Sequence, residues 1–325
     1  EDQVLTKRDE EFGGQTEELE AALERILAEA PEVAAAGHRV VHGGDRFSEP
    51  LLIDDETEAE LEGLADLAPL HNPPAVAAIE ALRRLRPELP AVACFDTAFH
   101  ATIPAAASTY AIPREWSASM PLRRYGFHGL SHSYASRRAA ELLERDPADL
   151  RLVTAHLGAG ASLAAVAGGR SVDTTMGFTP LEGLVMATRS GSVDPGLLLW
   201  VQRHRGRSAE QMERELDRES GLLALSGHAD MREVIAGADA GDQRCRLAFE
   251  VYIHRLVAGV AAMAASMGGI DALVFTGGIG EHLGRVRAEV SERLAFLGLD
   301  ASSGVLVVPA REDIEIARGV RSARR

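Results

Sequence analysis

The segment "RLVTAHLGAGASLAAVAGGRSVDTT", Arg151 to Thr175, is the most informative in the chain. It reads as strand, glycine turn, strand, glycine turn, strand: two successive hairpins forming a β-meander. Working outward from it, Phe249, Ile253, Leu256, Val257, Val260, Ala261, Ala264 and Met267 recur as a broad apolar helical stripe. The buried strand "DALVFT" follows, and "GGIGEH" (277–282) then makes a strand-to-helix glycine turn. Upstream, "QTEELEAALERILAEA" carries Leu19, Ala22, Leu23, Ile26, Leu27 and Ala30 on one helical face. "GHRVVHGG" (37–44) is a short strand ending in a glycine turn, and "AVACFDT" (91–97) an apolar strand ending in an aspartate. Between them, "HNPPAVAAIEALRRLRP" is a helix, with Asn72 expected as its N-cap and Pro73 just inside. Strands alternating with helices make an α/β protein.

Length and charge narrow the function. The 325 residues allow two domains, and no low-complexity linker separates them. A net charge of −15 argues against nucleic acid or an anionic membrane as the main partner. An acidic chain still binds anions where it gathers Arg and His locally. The two cysteines, Cys94 and Cys245, lie in apolar settings and are expected as free thiols, which suits the cytoplasm. The longest uncharged run, Leu256 to Ile270, falls short of the roughly 20 residues of a membrane span. The chain begins without Met, and the natural polypeptide is expected to extend upstream.

Several residue groups point to chemistry. In "YGFHGLSH", Tyr125 to His132, two histidines stand four apart. Ser131 is expected to cap a helix running to about Arg145, leaving His128 in the preceding loop, so the metal-binding i,i+4 pattern loses its geometric support. Glycines flanking His128 suggest a loop that lets a ligand approach the backbone; a hydrogen-bonded structural histidine is the plainer alternative. "HLGAGAS" (156–162) and "GGIGEH" put glycines where strands end, as phosphate-binding turns do and as ordinary tight turns also do. Arg39 lies inside an apolar strand and needs an anionic partner, either a ligand or a salt bridge. Arg189, in "MATRSGSVDPG", sits among small residues that suit reaching into a cleft or lying on the surface. Asp96 ends a strand, where α/β folds place functional side chains and where caps also occur. Arg39, Arg189, His71, His128 and His156 together suit a highly anionic ligand, and phosphoryl transfer is the natural class. No Walker loop and no protein-kinase motif is present.

"GHRVVHGG", "LAPLHNPP", "FDTAFH", "RRYGFHGLSH", "HLGAGAS", "DTTMGFTPLEGLVMATRSGSVDPG", "SGLLALSG", "DMRE" and "FTGGIGEH" resemble, in order, the acetate kinase family, and span Gly37 to Glu312. The resemblance implies two ribonuclease-H-like domains of the actin, sugar-kinase and Hsp70 type, with the active-site cleft between them. The domains would be 1–98 plus 313–325, lacking a leading strand, and a nucleotide-binding domain, 99–312. It implies a homodimer that reversibly converts ATP and acetate to ADP and acetyl phosphate with Mg²⁺. Propionate or butyrate kinase, and a catalytically impaired nucleotide-binding relative, are the alternatives.

Carried over by residue, the resemblance implies that Arg39 and Arg189 hold the carboxylate and the transferring phosphoryl group. His128 stabilises the transition state, Asp96 is the catalytic acidic residue, and His71 supports the phosphoryl pocket. His132 is structural. Val41, Leu70, Phe127 and Pro180 surround the substrate methyl. The nucleotide would meet His156, Leu157, Gly158, Ala159 and Gly160, then Asp230, Met231 and Arg232, then Gly278, Ile279, Gly280, Glu281 and His282. Glu312 would bind magnesium. Acetate is already an anion at neutral pH, so Asp96 is better suited to orienting an arginine or a metal-bound water than to removing a proton.

Overall fold

A computed structural model describes residues 16–29, 32–68, 71–299 and 304–325. The chain divides into two compact units, 1–99 with 311–325, and 100–310.

In the first unit, helix α1 (Thr16–Glu29) precedes strands β1 (Ala36–Val40), β2 (Leu51–Leu52) and β3 (Ala91–Phe95) and helices α2 (Asp55–Glu62), α3 (Asn72–Leu85) and α13 (Glu312–Ala323). The sheet order is β1-β3-β2, with β1 parallel and β2 antiparallel to β3. Asp54 caps α2, its carboxylate accepting from Thr57 N at 2.8 Å. Asn72 is not the expected cap of α3. It is the first helical residue and fully buried. Its amide binds both sides of one peptide segment, accepting from His42 N (3.1 Å) and donating to His42 O (3.0 Å). A side chain spent on that distant turn cannot also cap its own helix. Val40, Ile53, Leu61, Val76, Ile79 and Phe95 form one core. Helix α13 packs against Gly37, where a Cβ would overlap Ile316 and lie 2.8 Å from Val320 Cγ2.

The second unit contains the meander: β4 (Arg151–Leu157), β5 (Ala161–Ala167) and β6 (Arg170–Thr174), antiparallel in turn. Strands β7 (Ala272–Thr276) and β8 (Val305–Val307) extend it in parallel, giving the order β6-β5-β4-β7-β8. Three antiparallel strands followed by two parallel ones is the ribonuclease-H-like arrangement that the resemblance implies. Its helices are α4 (Ala105–Ser108), α5 (Gly129–Leu142), α6 (Pro195–Arg205), α7 (Ala209–Arg218), α8 (Gly221–Ser226), α9 (Met231–Asp239), α10 (Gln243–Ser266), α11 (Gly277–His282) and α12 (Gly284–Arg293).

At 24 residues, α10 is long and apolar enough to cross a membrane by length and composition alone. Its stripe of Phe249, Tyr252, Ile253, Leu256 and Val260 is instead buried against the sheet. The Phe, Ile, Leu and Val side chains of the stripe each contribute about 1.5–3 kcal/mol when removed from water. Gly259 permits the close contact, since a Cβ there would stand 2.8 Å from Leu163 Cδ1 on β5.

Candidate active site

In the second unit, strands β4 and β7 run side by side and end together, His156 opposite Thr276. After β4 the chain turns through 158–160 into β5, closed by Gly158 N donating to Gly160 O at 2.9 Å. After β7 it enters α11 directly, so "GGIGEH" is itself a short helix rather than a loop before one. Gly277 makes that junction at φ 76°, and a Cβ there would lie 2.8 Å from Leu157 O. The two strand ends border a cavity of about 600 Å³, the size of a small-molecule site. Gly158, Ala159, Asp230, Met231, Arg232, Gly278, Ile279 and His282 line it, all named from the sequence. Ala187, Ala229 and Leu283 also line it and were not foreseen. His156, Leu157, Gly160, Gly280 and Glu281 lie outside that lining. Leu157 and Gly280 are buried, and Glu281 accepts from Ala310 N at 2.9 Å. The wall is largely apolar, with Asp230 and Arg232 paired through three hydrogen bonds of 2.5–3.0 Å. Those bonds hold the Asp230 carboxyl below its ordinary pKa.

Beside the same hairpin stands His128. It occupies the N-cap position of α5 with left-handed backbone, φ 56° and ψ 24°. Such a conformation in a residue other than glycine is costly and persists where the surrounding structure holds it. A Cβ on Gly160 would stand 3.3 Å from its Cε1 and Nε2, and 3.6 Å from Arg189 Nη1. The hairpin glycine, the imidazole and the guanidinium thus share one spot. His156 stacks on His128 at 4.4 Å between centroids, and its Nδ1 is 2.8 Å from Ser131 Oγ. Ser131 is therefore engaged with His156, inside α5, and does not cap the helix. Arg189 Nε donates to Asp217 Oδ1 at 2.8 Å, and its Nη1 to Pro180 O at 3.5 Å. Phe127 is fully buried, and its carbonyl accepts from His100 Nε2 at 3.0 Å. Gly126 does not make room for a ligand. Its φ is 76°, and a Cβ would lie 2.6 Å from Thr174 Cγ2 and 2.7 Å from the His100 ring. Here glycine is demanded by the protein's own packing.

In the first unit, Arg39 clasps Asp96. Its Nε lies 3.1 and 3.2 Å from the two carboxylate oxygens and its Nη2 2.6 Å from Oδ2. Asp96 is 2% exposed at its side chain and Arg39 41%, so the acid is sealed and the guanidinium emerges. Burial works against the Arg39 charge, but Asp96 and the charge of Glu312 outweigh it and raise its pKa. Glu312 is thereby placed near Arg39, in the first turn of α13. Val41 and His71 are partly buried. His42 is buried and accepts at Nδ1 from Gly44 N at 2.9 Å. Leu70 lies outside the described residues. Among the described residues, no group of three or more His, Cys, Asp or Glu side chains is gathered as a metal cage.

Comparison with known proteins decides the family. The acetokinase family profile matches residues 6–315. The chain belongs to the acetokinase family. It is 50% identical over 312 residues to an acetate kinase of a Synechococcus species, covering 90% of this chain and 77% of that one. The crystal structure of Porphyromonas gingivalis acetate kinase superposes with a TM-score of 0.89 at 38% identity, covering 94% of this chain and 85% of that one. A propionate kinase from Francisella tularensis gives 0.87 at 40% identity, covering 92% and 82%. Membership makes the chain a nucleotide-using phosphotransferase.

Two features of this acetokinase-family chain escaped sequence reading. Asp217 closes α7, a helix with no buried residue, and nothing in "RELDRES" marks it as the partner of an arginine 28 positions earlier. Ser162 ends "HLGAGAS", but its hydroxyl serves the histidines rather than the turn, at 2.9 Å from His128 Nδ1 and 2.8 Å from His132 Nε2. The final serine of a motif named for its glycines was the available signal.

Proposed function

We propose that this chain is an acetate kinase, transferring the γ-phosphoryl group of ATP reversibly to acetate. The observation that carries the reading is the sharing of one hairpin, 158–160, by the 600 Å³ cavity on one side and by His128 and Arg189 on the other. A nucleotide in the cavity would present its phosphates toward that hairpin. His128 and Arg189 would then meet the transferring group, donating to oxygens that gain charge in the transition state.

Arg39 would supply the second guanidinium, for the acetate carboxylate. Asp96 accepts a forked contact from Arg39 and acts by orienting it. No proton need leave acetate, so no general base is required. Glu312 fits a magnesium ligand, because Mg²⁺ takes one or two carboxylates together with substrate phosphates and keeps several waters; when bound, the ion would neutralise phosphate charge. His71 would support the phosphoryl pocket. Val41, Leu70, Phe127 and Pro180 would bound the substrate methyl, and residues 100–310 would be the nucleotide-binding domain. Free Cys94 and Cys245 suit a cytoplasmic setting, and a homodimer is the expected assembly.

The test is a coupled assay of ADP and acetyl phosphate with acetate, propionate and butyrate in turn. We expect kcat/KM to fall in that order, because Phe127 and Pro180 are bulky. A preference for propionate or butyrate would move the chain to the alternative specificity. Turnover of none of the three would reduce it to a nucleotide-binding relative.

A further inference from the structure

Three buried groups form a continuous hydrogen-bonded chain behind His128. Thr154 Oγ1 lies 2.7 Å from His132 Nδ1. His132 Nε2 lies 2.8 Å from Ser162 Oγ, and Ser162 Oγ lies 2.9 Å from His128 Nδ1. Thr154, His132 and Ser162 are each completely buried. His132 is kept neutral by burial, reinforced by His100 and His156.

The proton count along this chain has one economical solution. A neutral imidazole donates from one nitrogen and accepts at the other. The Ser162 hydroxyl, between two ring nitrogens, has one hydrogen, so it donates to one ring and accepts from the other. The direction is set at the far end. Among the described residues, His132 Nδ1 is the partner found for the Thr154 hydroxyl. If His132 donated there, the threonine hydrogen would be buried without an acceptor, which is disfavoured. Thr154 therefore donates to His132 Nδ1, His132 Nε2–H donates to Ser162, and Ser162 donates to His128 Nδ1. The remaining proton of a neutral His128 must then sit on Nε2, the edge beside Gly160.

We propose that Ser162, supported by His132 and Thr154, is a positioning residue that holds His128 as the Nε2–H tautomer with its donor edge toward the hairpin. The role of His128 toward phosphoryl oxygens rests on the proposed function; its tautomer does not. His132 changes meaning under this reading, from a structural histidine to the middle of the device. The chain also locks the ring against rotation, since both ends of the Ser162 hydroxyl are engaged and His156 stacks on one face.

The experiment is ¹⁵N NMR of the full chain with labelled histidine, beside steady-state kinetics, for the parent, Ser162→Ala and Thr154→Val. In the parent, His128 is expected as a single Nε2–H tautomer. Ser162→Ala should give a tautomer mixture at His128 and a kcat lower by about tenfold to a hundredfold, with KM for ATP unchanged because the cavity is untouched. Thr154→Val is nearly isosteric and should loosen the same tautomer from the far end, so a poorly folding serine variant still leaves a decisive measurement. A parent His128 protonated on Nδ1, or a tautomer unmoved in both variants, would overturn the proposal. A correct tautomer without acetate phosphorylation would leave the relay standing and refute the proposed function instead.

Discussion

Replacing Gly160 by alanine should injure catalysis and spare the fold. The new methyl would stand 3.3 Å from Cε1 and Nε2 of His128 and 3.6 Å from Arg189 Nη1. The first contacts are too tight, so the imidazole must give by a few tenths of an ångström. It has little freedom, tied to Ser162 at 2.9 Å and stacked on His156 at 4.4 Å. Overpacking of this kind costs about 1 kcal/mol of stability when the backbone is unstrained. The catalytic cost is larger. Misplacing a reacting group by about 1 Å loses on the order of 10²-fold, so a smaller shift imposed on the His128 imidazole should lose roughly tenfold. Gly126→Ala is the contrasting control. Its φ of 76° and Cβ distances of 2.6 and 2.7 Å to Thr174 and His100 predict a folding loss of about 3 kcal/mol. Initial rates of acetyl phosphate formation at saturating ATP and acetate, beside urea unfolding, separate the two. Gly160→Ala with turnover within about twofold of the parent would refute the placement of His128 at the reacting group.

Arg189→Ala should lower kcat by about 10²–10³-fold, as loss of one charged transition-state donor does; near-normal turnover at saturating acetate would make the Arg189–Asp217 pair structural. Arg39→Ala would take the cation away from the buried Asp96 carboxylate and cost about 3 kcal/mol of stability, so Arg39→Lys is the sharper probe, expected to keep most of the stability and lose the forked contact and the turnover. Stability should fall on acidification. Burial lowers His100 to about 4 against the Phe127 carbonyl, which raises it, so the unfolded chain takes up a proton below pH 6.5 that the folded chain refuses until about pH 4. The contribution is whole above 6.5 and is lost as pH falls, by about 2 kcal/mol between pH 6.5 and 5 from this residue; urea midpoints that do not move over that range would contradict it. Finally, α6 exposes Leu197, Leu199 and Trp200 by 49%, 52% and 48%. If a homodimer uses this face, Trp200→Glu should sediment as a single chain, and an unchanged dimer would put the interface elsewhere.

Whatever depends on local periodicity was legible in the residues alone. The meander from Arg151 to Thr174 follows from strands alternating with glycine turns, because a period of two acts within a few positions and Gly168 and Gly169 turn the second hairpin at φ 60° and 74°. The stripe on α10 and the strand "DALVFT" were legible for the same reason, and the motif order was enough to indicate the family. Boundaries set by long-range bonds were not legible. Asn72 and Ser131 both look like caps, yet their side chains are taken by His42 and His156, 30 and 25 positions away. The same limit hid the supports of the candidate site. Asp217 reaches Arg189 across 28 residues, and Ser162 reaches His128 across 34. A charge set in an apolar strand needs a partner, and the sequence showed that need for Arg39, although the sealed member of the pair is Asp96, 2% exposed against 41% for Arg39. Which partner meets the need depends on where the sheet brings distant segments together, and no local pattern encodes that.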